Sequence, residues 1–139
     1  MHMTPDQAKR RSDCPISFGL DIFGDKWTLL ILRDLLLRGK SKFGEFLDSE
    51  EAIASNILTD RLTRLEASGL IIKPRDKHDR RQSLYRATKA GTELLPVLVE
   101  LAYWGASHDP KTGAPKEFVK AYRTDRSGLL KKLKSEIKA

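Results

Sequence analysis

A single cysteine, Cys14, occurs in a chain of 139 residues. One thiol cannot close an internal disulfide, and His2, His78 and His108 are too scattered to join it at metal-ligand spacing. No metal and no cofactor are expected. Long apolar runs are also missing: none approaches the roughly 20 residues that a membrane-crossing helix needs, and the N-terminal MHMTPDQAKRRSD is too polar for a secretory signal. The expectation is a cytoplasmic protein without a membrane partner. There is no Gly-rich phosphate loop, internal repeat or low-complexity run, and no pattern supports a nucleophile set made from Cys14, a histidine and an acid. An enzyme is therefore not expected. Acidic charge is in deficit: 26 Lys and Arg face 19 Asp and Glu, for a net charge of +7. Such a balance favours polyanionic partners but also fits many ordinary soluble proteins. Hydrophobic residues make up 40% against 32% charged, which suffices for one domain with a real core.

Along the chain, PISFGLDIFGDKW predicts a short helix stopped by Gly24, after which Asp25 can accept backbone N–H bonds at the start of a second helix. In KWTLLILRDLLLRG the residues Trp27, Leu30, Ile31 and Leu35 lie along one stripe, so this helix should be mostly buried. Ser41 is placed to cap a short third helix, KFGEFL, before the acidic turn DSEE. A fourth helix, ASNILTDRLTRLEASG, sets Leu58, Leu62 and Leu65 against a side that carries Asn56, Thr59, Asp60, Thr63 and Arg64. A plain surface helix would carry Lys and Glu there. After Gly69 the segments LIIKPR and SLYRAT read as two strands around the polar loop DKHDRRQ, with Pro74 suited to an edge. From Lys73 to Lys89 seven basic residues oppose Asp76 and Asp79, a local +5 on a protruding hairpin. Thr88 is placed to cap a fifth helix, KAGTELLPVLVELAYWGA, which is apolar nearly all round and needs two partners, its own domain and a second subunit. Pro96 should kink that helix or sit early enough to be tolerated. HDPKTGAP is a linker, and beyond it Phe118, Tyr122, Leu129, Leu133 and Ile137 predict a marginal amphipathic helix with a weak point at Ser127 and Gly128.

Helix, acidic turn, helix and basic hairpin is the order of a winged helix-turn-helix, a mainly α fold with a small β-hairpin. In that design the fourth helix enters the major groove and the wing lies along the backbone or an adjacent minor groove. Asn56 offers a donor and an acceptor together, suited to adenine; Thr59 and Thr63 offer a hydroxyl and a methyl; Arg61 and Arg64 can reach guanine or phosphate. Asp60 costs affinity unless it accepts from cytosine or braces Arg61 or Arg64. Arg61 can equally serve structure. Ser55 at the helix start completes the set, and Lys77, Arg80 and Arg81 at the wing are candidate phosphate or minor-groove contacts. A winged-helix protein-interaction or RNA-binding module is the alternative, but the hairpin lacks aromatic stacking platforms apart from Tyr85.

The residues Cys14 and Pro15, GDKWTLLILRDLL from Gly24, LTDRLTRLEASGLI from Leu58 and YRATKAGTELLPVLVELAYWG from Tyr85 resemble the HxlR family of winged-helix transcriptional regulators, relatives of the MarR family in architecture. The resemblance implies a homodimer on double-stranded DNA at a pseudo-palindromic operator, with the first and fifth helices at the dimer interface. Ile16, Leu20, Leu98, Leu101, Ala102 and Trp104 are the interface candidates. Some members of that family sense oxidants or electrophiles through a cysteine at this place, which makes Cys14 the candidate redox sensor; a bland small residue is the other reading, and a small-molecule effector is the other form of control. Two departures stand out: Ala54 where a capping serine is usual, and Ala87 where a larger apolar residue is common, leaving the wing base less filled. The expected organisation is an N-terminal arm at 1–13, a DNA-binding and dimerisation domain at 14–109 and a helical extension at 110–139.

Overall fold

The computed structural model describes residues 10–73 and 84–137. Helix α1, Pro15–Phe23, begins with proline in its first turn, where no N–H bond is lost, and ends at Gly24. Asp25 then accepts the backbone N–H groups of Trp27 and Thr28 at 3.0 and 3.2 Å and starts α2, Thr28–Leu37, as the sequence predicts. Ile31, Leu32, Leu35 and Leu36 of α2 are buried and form the centre of the main core.

The short α3, Phe43–Leu47, is capped differently from expectation. Ser41 does not cap it; Glu45 reaches back and accepts the N–H groups of Ser41 and Lys42 at 3.1 and 2.9 Å. Carboxylate at a helix start also suits the helix dipole. Helix α4, Ser55–Ala67, buries Leu58, Leu62 and Leu65 against α2 and α3, while Ala54 precedes it without a side-chain cap. Ser55 is inside the helix rather than at its cap.

Gly69, at φ 76, turns the chain out of α4 in a conformation that a side chain would strain. Strands β1, Ile71–Ile72, and β2, Arg86–Ala87, pair antiparallel with Ile71 opposite Ala87, and a further bridge joins Lys42 to Leu84. Tyr85 is buried edge-on to Phe46, ring centroids 6.0 Å apart. The expected edge proline, Pro74, and the loop that follows it lie outside the described residues.

The fifth predicted helix is two. Thr88 caps α5, Lys89–Thr92, by accepting from the Gly91 N–H at 3.1 Å, and α6, Leu95–His108, starts anew with Pro96 in its first turn, where it is tolerated. Gly91 lies so close to the Leu70 carbonyl that a Cβ would come within 2.1 Å of it, so α5 packs tightly on the residue that leads into β1. The C-terminal extension is likewise two helices, α7, Lys116–Thr124, and α8, Arg126–Ser135. They break at Asp125, whose carboxylate accepts from the Gly128 N–H at 3.0 Å, close to the weak point read from Ser127 and Gly128. Leu95 and Val99 of α6 and Leu129 of α8 form a second apolar cluster, flanked by Phe118, Tyr122 and Leu133.

Candidate nucleic-acid interface

The buried stripe of α4 leaves Ser55, Asn56, Thr59, Asp60, Thr63 and Arg64 exposed together. The Thr59 hydroxyl donates to the Ser55 carbonyl at 2.9 Å and the Thr63 hydroxyl to the Thr59 carbonyl at 2.8 Å, so each uses its proton within the helix and keeps its capacity to accept. Asp60 is partnered by Arg61, and by Arg64 at 3.7 Å, the bracing role foreseen for it.

Arg61 differs from its neighbours. Its side chain is turned toward the body, and its Nε donates to Asp25 Oδ2 at 2.8 Å. Burial pushes the Asp25 carboxyl up, but bonds from Thr28, Arg61 and the Trp27 N–H outweigh it and hold the group down at about 2. The Asp25 bond in turn raises Arg61 above its ordinary value, against a smaller effect of burial. One carboxylate thus starts α2 and fixes α4 to it.

A second network holds the turn between α3 and α4. Asp34, on the buried side of α2 and 2% exposed, accepts from the Ser49 hydroxyl and from Arg33 Nε and Nη2 at 3.0 and 2.9 Å, with Lys40 Nζ 3.8 Å away. Arg33 also grips Glu51 through two bonds of 2.7 and 2.9 Å. That fork, opposed by desolvation, holds the Glu51 carboxyl at about 2. The acidic turn is therefore latched to α2 at both ends. Sequence reading missed Arg33, Asp34, Ser49 and Glu51 as positioning residues; the acid inside the apolar pattern of ILRDLLL was the available signal.

Lys77, Arg80 and Arg81 lie outside the described residues. At the wing base Lys73 Nζ stands 5.7 Å from the Tyr85 ring centre, and Arg86 is exposed.

Among the interface candidates, Ile16, Leu20, Leu101, Ala102 and Trp104 are exposed, with Ile16 73% and Trp104 61% accessible. Leu98 instead lies in the chain's own core. Leu29, Val97, Leu101, Tyr103 and Trp104 line a shallow apolar groove, and Trp104 stacks on His108 with ring centroids 4.2 Å apart. Cys14 is exposed just before α1. Arg11, three residues before it, is paired with Asp21 at 2.7 Å.

Residues 22–112 match the sequence model of the HxlR-like helix-turn-helix. The chain belongs to this family. HxlR-like membership agrees with its similarity to the HTH-type transcriptional regulator YybR of Bacillus subtilis (strain 168), 28% identical over 121 residues that cover 87% of this chain and 89% of YybR. Among solved structures, the redox regulator HypR in its oxidized form is 32% identical with a TM-score of 0.60, over 68% of this chain and 96% of HypR. A protein described as a MarR-family transcriptional regulator from Porphyromonas gingivalis W83 is 26% identical with a TM-score of 0.62, over 78% of this chain and all of that one. The fold is that of these winged-helix regulators, mainly helical with a two-stranded sheet. As an HxlR-like protein it is a DNA-binding transcriptional regulator. Among the described residues no helix is long and apolar enough to cross a membrane.

Proposed function

We propose that this HxlR-like chain acts as a homodimer that reads a pseudo-palindromic operator, with α4 in the major groove and the basic wing on the backbone or minor groove. The observation that carries the reading is the outward face of α4. Asn56, Thr59 and Thr63 are short hydrogen-bonding side chains on a helix fixed from behind by Leu58, Leu62 and the Arg61–Asp25 pair. Geometry of this kind suits base edges, which are read by bidentate amide and by hydroxyl or methyl contacts. Ala54 offers no side chain to the first-turn N–H groups, so a DNA phosphate can accept from them at the positive end of the helix. Arg64 then serves phosphate or guanine, whereas Arg61 is a positioning residue. Lys77, Arg80 and Arg81 supply sequence-independent phosphate contacts.

The exposed Ile16, Leu20, Leu101, Ala102 and Trp104 form the dimer contact, since a large exposed apolar face is rare on a soluble monomer. In this arrangement residues 14–109 are the DNA-binding and dimerising unit and 110–139 an extension. HypR is a redox regulator whose oxidized and reduced forms have both been solved. By analogy Cys14, exposed at the start of α1, is the redox or electrophile sensor of this chain. The test of nucleic-acid class is one binding assay with duplex DNA, single-stranded RNA and no nucleic acid. Binding confined to duplex supports the reading, and preference for RNA or for neither would replace it with the RNA-binding or protein-interaction module.

A further inference from the structure

The matched family region ends at residue 112, and the helices beyond it make a connection that its pattern does not contain. Ile137, just past α8, packs against both apolar clusters, the main core and the one formed by Leu95, Val99 and Leu129. It also lines a cavity of about 210 Å3 together with Leu35, Leu84, Tyr85 and Ala87. Ala87 is the β2 residue paired with Ile71, and its single methyl leaves that space open. The other end of the connection is anchored on α6: the Tyr122 hydroxyl donates to Glu100 at 2.8 Å, Arg126 pairs with Glu100, and the Tyr103 and Tyr122 rings stack at 3.8 Å.

We propose that α7 and α8 form an intramolecular strut that positions the wing, with Ile137 seated at the wing base in the space that Ala87 leaves. A two-stranded ribbon has little stability of its own and takes its direction from what packs on its base. Here Phe46 supports Tyr85 from the core and Ile137 supports the same base from the C-terminal side. Because α8 is tied to α6, the strut couples the helix of the dimer contact to the aim of the wing. The inference rests on the reading that the wing meets the DNA backbone.

The experiment compares the full chain with Ile137→Ala, with Ile137→Ala/Ala87→Leu, and with Arg80→Ala/Arg81→Ala. For each, the mass in solution and the affinity for a random duplex are measured over a series of salt concentrations. Ile137→Ala removes no charge, so an electrostatic change reports positioning. We expect it to remain dimeric, to bind about tenfold more weakly, and to lose about one unit of salt slope for each phosphate contact the wing no longer makes. Ala87→Leu should restore most of that loss by filling the base from the strand side. If Arg80→Ala/Arg81→Ala flattens the salt slope while Ile137→Ala binds like wild type, the strut is refuted and the wing reading stands. An Ile137→Ala effect confined to thermal stability refutes it equally, as does failure of the Ala87→Leu rescue. If the arginine variant leaves the slope unchanged, the wing reading falls, and the strut with it.

Discussion

Asp25 gathers four donors, the N–H groups of Trp27 and Thr28, the Thr28 hydroxyl and Arg61 Nε, onto one carboxylate that lies between α2 and α4. Its folded value of about 2 lies below the ordinary 3.8, so the stabilisation is fully present above the ordinary value and is lost as pH falls through the folded one. Asp25→Asn should therefore cost about 1 to 2 kcal/mol at neutral pH, a figure reduced for partial exposure, and should make the loss of stability between pH 4 and 2 shallower. Urea unfolding over that pH range measures both; an unchanged pH slope would mean that the pair does not brace the helices. Arg61→Ala should cost a similar amount, and the double variant clearly less than the sum. The pair of Asp25 and Arg61 was half legible in the sequence. The capping role follows from an acid after glycine, but the partner is 36 residues away and only the tertiary packing of α4 on α2 brings it near. Cys14 is the other single-residue question. Operator affinity of wild type and Cys14→Ser with and without a mild electrophile should differ only for treated wild type, and equal affinity in all four conditions would remove the thiol as sensor.

At the scale of elements, the turn between α3 and α4 holds a non-glycine residue, Ala52, at φ 56. The latch of Arg33, Asp34, Ser49 and Glu51 holds the chain in that turn, and the strain of an alanine there exceeds the extra entropy that glycine loses on folding. Ala52→Gly should raise stability by about 0.5 to 1 kcal/mol, read as a higher denaturant midpoint at unchanged slope; a lower midpoint would show that the turn is relaxed with alanine. The four N-terminal helices and the hairpin were legible because each carries its own period and punctuation: Gly24, Gly39, Gly69 and Thr88 all mark ends. Three features were not. The fifth predicted helix divides at Glu93 and Leu94 because Pro96 requires a first turn, and the apolar pattern runs through the break unaltered. The cap of α3 passed from Ser41 to Glu45 because a carboxylate three residues on can take two N–H groups at once. Asp34 was hidden for a different reason, since a buried acid follows from partners on other elements and leaves no periodic trace.

Among the described residues the molecule presents a polar face on α4, a two-stranded ribbon of β1 and β2, and exposed apolar side chains on α1 and α6. If the last of these joins two copies, light scattering at micromolar concentration should give twice the chain mass, and Trp104→Glu should give one chain mass with its helix content retained. A wild-type monomer would contradict the arrangement. In the dimer the two copies of α4 should lie about one DNA turn apart, roughly 34 Å. If Asn56 and Thr59 read bases from the exposed face of α4, selection of bound genomic fragments will show it. Wild type should enrich fragments that share a pseudo-palindrome, whereas Asn56→Ala/Thr59→Ala, each change costing about 1 to 3 kcal/mol on that site, should lose the motif while keeping affinity for random duplex. Enrichment of the same motif by the variant, or of none by wild type, would mean that this face of α4 does not read the operator.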